Sequence, residues 1–121
     1  MPYGLLPQYR GMDCTYWCVL NQDYGNIGFT TDLMDAGVDT GPIVDVNRVD
    51  VTRFATIDDV VYEIEYQMAE AITAAVSKVF SGAADYCPQQ SEDGLQYFTI
   101  VPECLSLAHR SFVSQRSRSR L

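Results

Sequence analysis

The sequence predicts an α/β layered domain, and three observations carry that prediction. Residues 56–81 place apolar side chains at helical spacing over one long run. Two stretches, 27–34 and 43–51, are rich in the apolar and β-branched residues of strands. Between them, Asp35-Ala-Gly-Val-Asp-Thr-Gly-Pro42 carries two glycines and a proline, which disfavour regular structure. The expectation is two to three strands with a long helix packed on the sheet.

In chain order, Pro2, Gly4, Pro7 and Gly11 punctuate a turn-rich opening over 1–11. A helix is expected over 12–20, with Asp13 as N-cap or first-turn acid and Tyr16, Trp17, Val19 and Leu20 as its bulky face. Residues 21–26 form a turn cluster. In the first strand Ile27, Phe29, Thr31 and Leu33 share a face. The second strand begins at Ile43, Val44 and Val46 and extends toward Val49 and Val51.

The long helix has the plainest signals. Thr56 is a good N-cap, and Asp59 three residues later resembles a capping box. Val60, Val61, Ile64, Met68, Ala71, Ile72, Ala75, Val76 and Val79 form the stripe, and Gly82 is a natural stop. Beyond it, 85–94 reads as a polar loop, 95–101 as a short strand, and 103–110 as a helical turn. Three regions follow: 1–82 as the main body, 83–109 as an irregular segment, and 110–121 as a basic Ser/Arg tail expected to be disordered.

Charge narrows the function classes. The 121 residues carry a net −8, yet Arg110, Arg116, Arg118 and Arg120 supply half of the basic groups. Residues 1–109 therefore hold four basic against sixteen acidic groups, a balance of −12. A body that acidic lacks the basic footprint that nucleic acid requires. Neither a signal peptide nor a membrane-length apolar run is evident, so four reduced cysteines and a cytoplasmic location are expected.

Two segments in fixed order carry a resemblance. Leu5-Leu6-Pro7-Gln8-Tyr9-Arg10-Gly11 is similar to the Leu-Leu-Pro-x-Tyr-Arg-Gly segment of folate-dependent formyltransferases. Met34-Asp35-Ala36-Gly37-Val38-Asp39-Thr40-Gly41-Pro42-Ile43 resembles their Met-Asp-x-Gly-x-Asp-Thr-Gly-x-Ile loop. A helix, a turn and a strand bearing Gly28 and Thr30 lie between them, as in that family. The match spans roughly residues 3–80 and corresponds to the second half of a Rossmann-like catalytic domain.

The resemblance implies transfer of a formyl group from 10-formyltetrahydrofolate to an amine on methionyl-tRNA, a glycinamide ribonucleotide or an amino sugar. Such acyl transfer needs oxyanion donors and a carboxylate for the amine proton. By motif the carboxylate is Asp39. Asp35, Ala36, Gly37, Val38, Thr40 and Gly41 are the folate-binding positions, and no metal is implied. The implied partners are thus a small-molecule folate and an amine acceptor, with nucleic acid only as a tRNA acceptor.

The sequence also departs from that family. Its Asn-x-His-x-x-x-Leu-Pro motif puts a His five residues before the Pro, where this chain has Pro2, and the Asn one position before Met1. A Val-x-His also expected nearby reads Thr31-Asp32. Loss of one oxyanion donor costs about 10²–10³ in rate, so little activity is expected of this chain alone. A non-catalytic relic or interaction fragment is the alternative, and unpaired sheet edges would favour self-association.

Three other readings are weaker. Val38-Asp39-Thr40-Gly41 also occurs in aspartic proteases, but a retropepsin-like dimer is nearly all β and has no place for the long helix. Cys14, Cys18, Cys104 and His109 lack the paired spacing of a zinc site and read as inert thiols and an exposed imidazole. Asp35 and Asp39 in one turn would otherwise be a solvated pair.

Overall fold

A computed structural model describes residues 1–33, 36–37 and 39–119. Seven elements follow one another: β1 (Tyr9–Gly11), α1 (Cys14–Leu20), β2 (Gly28–Asp32), β3 (Ile43–Arg48), α2 (Ile57–Ser81), β4 (Leu95–Tyr97) and α3 (Pro102–Ser119). The strands form two small sheets. β1 pairs parallel to β4, with Tyr9 opposite Leu95 and Gly11 opposite Tyr97. β2 pairs antiparallel to β3, with Gly28 opposite Arg48 and Thr30 opposite Val46, and the register slips between Thr31 and Asp32. The α/β class and the long helix on a sheet are as the sequence predicts, with α2 lying against β2.

α2 forms where its sequence signals put it. Thr56 Oγ1 accepts from the Asp59 amide at 3.2 Å, and Asp58 and Asp59 lie at the positive end of the helix dipole. Gly82, at φ 76°, ends the helix by donating to the Val79 carbonyl. Its inner face buries Ile57, Val60, Ile64 and Ala75. Ile72 and Val76, counted in the apolar stripe, remain 45% exposed, because the sheet beneath that end is only two strands wide.

The remaining core comes from several elements at once. Cys14, Cys18 and Val19 of α1 meet Ile27, Phe29, Val49, Val51 and the inner face of α2. Each fully buried Val, Ile or Phe contributes about 1.5–3 kcal/mol from burial. Val49 and Val51 serve this core without belonging to β3. The strand stops at Arg48, and Asp50 Oδ1 accepts from the Thr52 amide at 3.0 Å, starting a 3₁₀ turn over Val51–Arg53.

Four expectations are revised. Residues 9–11, read as part of a turn region, pair with a strand more than eighty positions away, a contact that local signals do not encode. Asp13 is not a side-chain cap: its backbone is left-handed (φ 55°, ψ 32°) and its Oδ2 accepts from the Ile100 amide at 2.9 Å. The strand expected over 95–101 ends at Tyr97, because Phe98 O accepts from the Trp17 indole and Pro102 opens α3.

The fourth concerns the Ser/Arg end. α3 continues through Ser119, well past the expected helical turn, and residues 120–121 lie outside the described set. Ala108 and Phe112 are fully buried, and α3 packs on α1. Helix nucleation is the costly step, so a helix anchored at these residues propagates into a polar segment that would not start one itself.

Candidate functional site

The two motif segments meet in space. Leu5 and Leu6 are buried, and Thr30, also buried, fixes them: its hydroxyl donates to Gly4 O at 2.7 Å and accepts from the Leu6 amide at 2.9 Å. Tyr9 stacks on Tyr97 with ring centroids 5.1 Å apart and donates to Asp23 Oδ2 at 2.7 Å. At Gly11 the backbone turns to φ 104°, and an added Cβ would collide with the Tyr97 carbonyl. Only glycine satisfies both conditions. So placed, the Gly11 amide donates to Asp39 Oδ2 at 2.8 Å.

Asp39 is itself left-handed, at φ 55°, a conformation that Asp tolerates better than most residues. Gln89 holds the loop from the far side. Its Nε2 donates to Asp39 O at 3.1 Å and to Gly41 O at 2.6 Å. Its Oε1 accepts from the Arg10 guanidinium, which also donates to Gln90 O at 2.7 Å. Arg10 is only 3% exposed, so these bonds offset the cost of burying its charge.

Among the other expected site residues, Gly41 is buried, Thr40 half-buried, and Ala36 and Gly37 exposed. Asp35 and Val38 lie outside the described residues. Pro2, at the position of the family's His, offers a carbonyl that accepts from the Thr30 amide at 3.2 Å and no side-chain donor.

A cavity of about 400 Å³ opens against Gly11, whose amide holds Asp39, and is lined by Tyr3, Gly11, Met12, Asp13, Cys14, Thr15, Tyr16 and Val61. Its volume lies in the range of small-molecule sites. Burial pushes the Cys14 thiol up to about 12, and the carboxylates of Asp39 and Asp13 add to the effect. Burial also raises Cys18 to about 12, with the Tyr9 hydrogen bond opposing it. Both thiols are therefore protonated and unreactive at neutral pH. Tyr16 is raised by burial and then by Asp58 and Asp13.

His109 is half-buried, its ring 5.6 Å from that of Tyr16, rather than exposed. Among the described residues no group of three His, Cys, Asp or Glu side chains could hold a metal ion. No helix among them is long and apolar enough to cross a membrane. Sequence reasoning missed Gln89 and Asp13. Gln89 stood in a polar loop with nothing to single it out, and Asp13 was assigned to capping.

No family model matches the chain. Known proteins do. It is 34% identical over 100 residues to the methionyl-tRNA formyltransferase of Agathobacter rectalis, covering 83% of this chain and 32% of that protein. It is 27% identical over 118 residues to the Microcystis aeruginosa enzyme of the same name, covering 98% and 36%. The chain thus spans about a third of the length of these relatives.

Solved structures agree on the fold. A 4-N formyltransferase from Francisella tularensis matches with TM-score 0.68 at 20% identity over 90% of this chain and 49% of its own. An N-formyltransferase from Helicobacter canadensis, in complex with folinic acid and dTDP-3-aminofucose, matches with TM-score 0.68 at 16% identity over 95% and 47%. By sequence and by fold together, the chain is a segment of the formyltransferase family.

Proposed function

We propose that this chain carries the carboxylate loop of a formyl-transfer site, with 10-formyltetrahydrofolate as formyl donor and an amine as acceptor. One observation carries the reading: Asp39, in a strained left-handed backbone, is held through its carboxylate by the amide of Gly11, and Gly11 lines a ligand-sized cavity. The names of the relatives, and the folinic acid bound in the Helicobacter canadensis neighbour, support the donor class.

In the transfer, the acceptor nitrogen attacks the formyl carbon and its bond to the folate nitrogen breaks. Asp39 orients the amine and takes the proton it sheds, and that same proton passes on to the folate nitrogen as its bond to the formyl carbon breaks, which restores the carboxylate. Gly37 and Gly41 let the backbone of the loop approach a flat ligand, with Ala36, Thr40, Asp35 and Val38 completing the contact. Isothermal titration of the chain with 5-formyltetrahydrofolate, with amide NMR of Gly37, Thr40 and Gly41, tests this. Saturable heat with shifts at those amides supports it; a folded chain showing neither sinks it.

Pro2 favours a second reading, a binding or interaction module without turnover, because it places no proton donor where the family's motif has a His. Binding of the folate analogue with no formylated product would select it. Self-association belongs to the same reading. Tyr62, Tyr66 and Phe80 on the outer face of α2 are 77%, 60% and 87% exposed, and sedimentation velocity reads whether they associate.

A further inference from the structure

α2 carries two apolar stripes, and the core covers only one of them. Ile57, Val60, Ile64 and Ala75 face inward. At about 3.6 residues per turn, Tyr62, Tyr66, Ala69, Thr73, Val76 and Phe80 fall on the opposite side of the helix, and all six are exposed. This outer stripe contains no charged residue and runs for about 27 Å along the helix. Exposed apolar surface of that extent marks an interaction site.

The spacing is that of a helix–helix seam. The six positions follow at intervals of 4, 3, 4, 3 and 4, the pattern by which two helices interlock. Those intervals read the same from either end. A second α2 running antiparallel therefore sets Tyr62 opposite Phe80, Tyr66 opposite Val76 and Ala69 opposite Thr73. Bulky rings close the two ends, and the smallest side chains meet at the centre, where the backbones approach most closely. One patch serves both copies, as a two-fold interface requires.

Charge sets the direction. Asp58, Asp59, Glu63, Glu65 and Glu70 lie in the first half of α2 with no base, whereas the second half holds Lys78 and no acid. Antiparallel pairing puts each acidic half beside the acid-free half of the other copy and opposes the two helix dipoles. Parallel pairing would set five acids against five. Glu70 is the exception: it flanks the centre and meets its own counterpart there, at a cost.

The area is sufficient for a weak, specific dimer. A covered aromatic side chain buries about 150–250 Å², so Tyr62, Tyr66 and Phe80, at 77%, 60% and 87% exposure, offer roughly 350–550 Å² per copy. With the half-exposed Ile72 and Val76 beside them, a pair covers about 1,000 Å² in total, the lower bound of a specific interface. We infer that the outer stripe of α2 is a homodimer seam, on which a second copy of this chain lies antiparallel, centred between Ala69 and Thr73. The assignment rests on the self-association reading and names its partner and direction.

Sedimentation velocity of the whole chain should show a monomer–dimer equilibrium with a dissociation constant of about 10–100 µM. Isotope-filtered NMR on mixed labelled and unlabelled chain should show contacts between copies from Tyr62 to Phe80 and from Tyr66 to Val76. Phe80→Gln removes a ring, and Ala69→Arg holds the two helices apart. Each should weaken the dimer by about tenfold or more with an unchanged melt, because both positions are exposed. Glu70→Gln should tighten it about two- to fivefold, which a merely adhesive surface would not do. A chain that stays monomeric overturns self-association and the seam together. A dimer with Tyr62 against Tyr62, or one indifferent to Ala69→Arg and Phe80→Gln, keeps self-association and overturns the seam. Folate titration, read at Gly37, Thr40 and Gly41, tests formyl transfer separately.

Discussion

The Gly11 amide donates to Asp39 Oδ2 at 2.8 Å, and this one bond joins the two motif segments that lie apart in the sequence. It fixes the direction of the carboxylate, while Gln89 fixes the backbone that carries it. Aim and support are therefore separable by mutation.

Asp39→Asn tests the chemistry without the aim. Asn accepts the Gly11 hydrogen bond through its side-chain oxygen and tolerates the left-handed backbone. A charged acceptor binds roughly twice as strongly as a neutral one, so stability should fall by no more than about 1 kcal/mol. Urea denaturation should show that small change. Any formyl transfer measured with an amine acceptor should drop by about 10²-fold or more, the scale of a lost acid–base group.

Gly11→Ala tests the aim. The new Cβ meets the Tyr97 carbonyl and the backbone is at φ 104°, so strain and overpacking together should cost roughly 2–5 kcal/mol. The relief available is separation of β1 from β4. Accordingly, amide exchange should accelerate at position 11 and at Met12 before it does in α2.

Gln89→Met keeps the volume of the side chain and removes its polar atoms. Two loop carbonyls lose their donor, and buried Arg10 loses one of its acceptors. A cost of about 2–4 kcal/mol is expected from the unpaired groups. Hydrogen exchange should report the loss first at Gly41 and Gly11. An unchanged melt with unchanged exchange at those amides would count against the strap.

How far the sequence reveals this arrangement depends on the range of the interactions. α2 was legible at both ends because Thr56, Asp59 and Gly82 act within one turn of the helix they bound. The Asp39 loop was legible because Gly37, Gly41 and Pro42 break regular structure locally. Pairing of Tyr9 with Leu95 and the reach of Gln89 across to Gly41 are long-range, and nothing near either partner signals the other. α3 escaped for a third reason: its polar end is helical only because Ala108 and Phe112 anchor its beginning in the core.

Thr31 gives a stabilising prediction. Its hydroxyl is buried and has no hydrogen-bond partner among the described residues, whereas neighbouring Thr30 has two. Thr31→Val preserves shape and removes the orphaned polar atom, which costs about 1–3 kcal/mol to bury. A gain of roughly 1 kcal/mol, or a few degrees in Tm, is expected by calorimetry. A loss of stability would indicate a partner for this hydroxyl.

Alkaline pH should unfold the protein through its buried thiols. The folded pKa values of Cys14 and Cys18 are raised to about 12 from an ordinary 9.0. Tyr9 is also raised, chiefly by burial. A raised folded pKa means that the native state holds the proton more tightly than the unfolded chain does. The stability so gained is complete below pH 9, where both states are protonated, and is lost as the pH rises through the interval from 9 to 12. Urea midpoints measured across that interval should fall steeply. Cys18→Ala should flatten the slope in proportion to the one titrating group removed, at some cost in packing. A probe of thiol reactivity gives the complementary reading at neutral pH. Exposed Cys87 should react with a disulfide reagent at once, whereas Cys14 and Cys18 should react only at the rate at which the core opens.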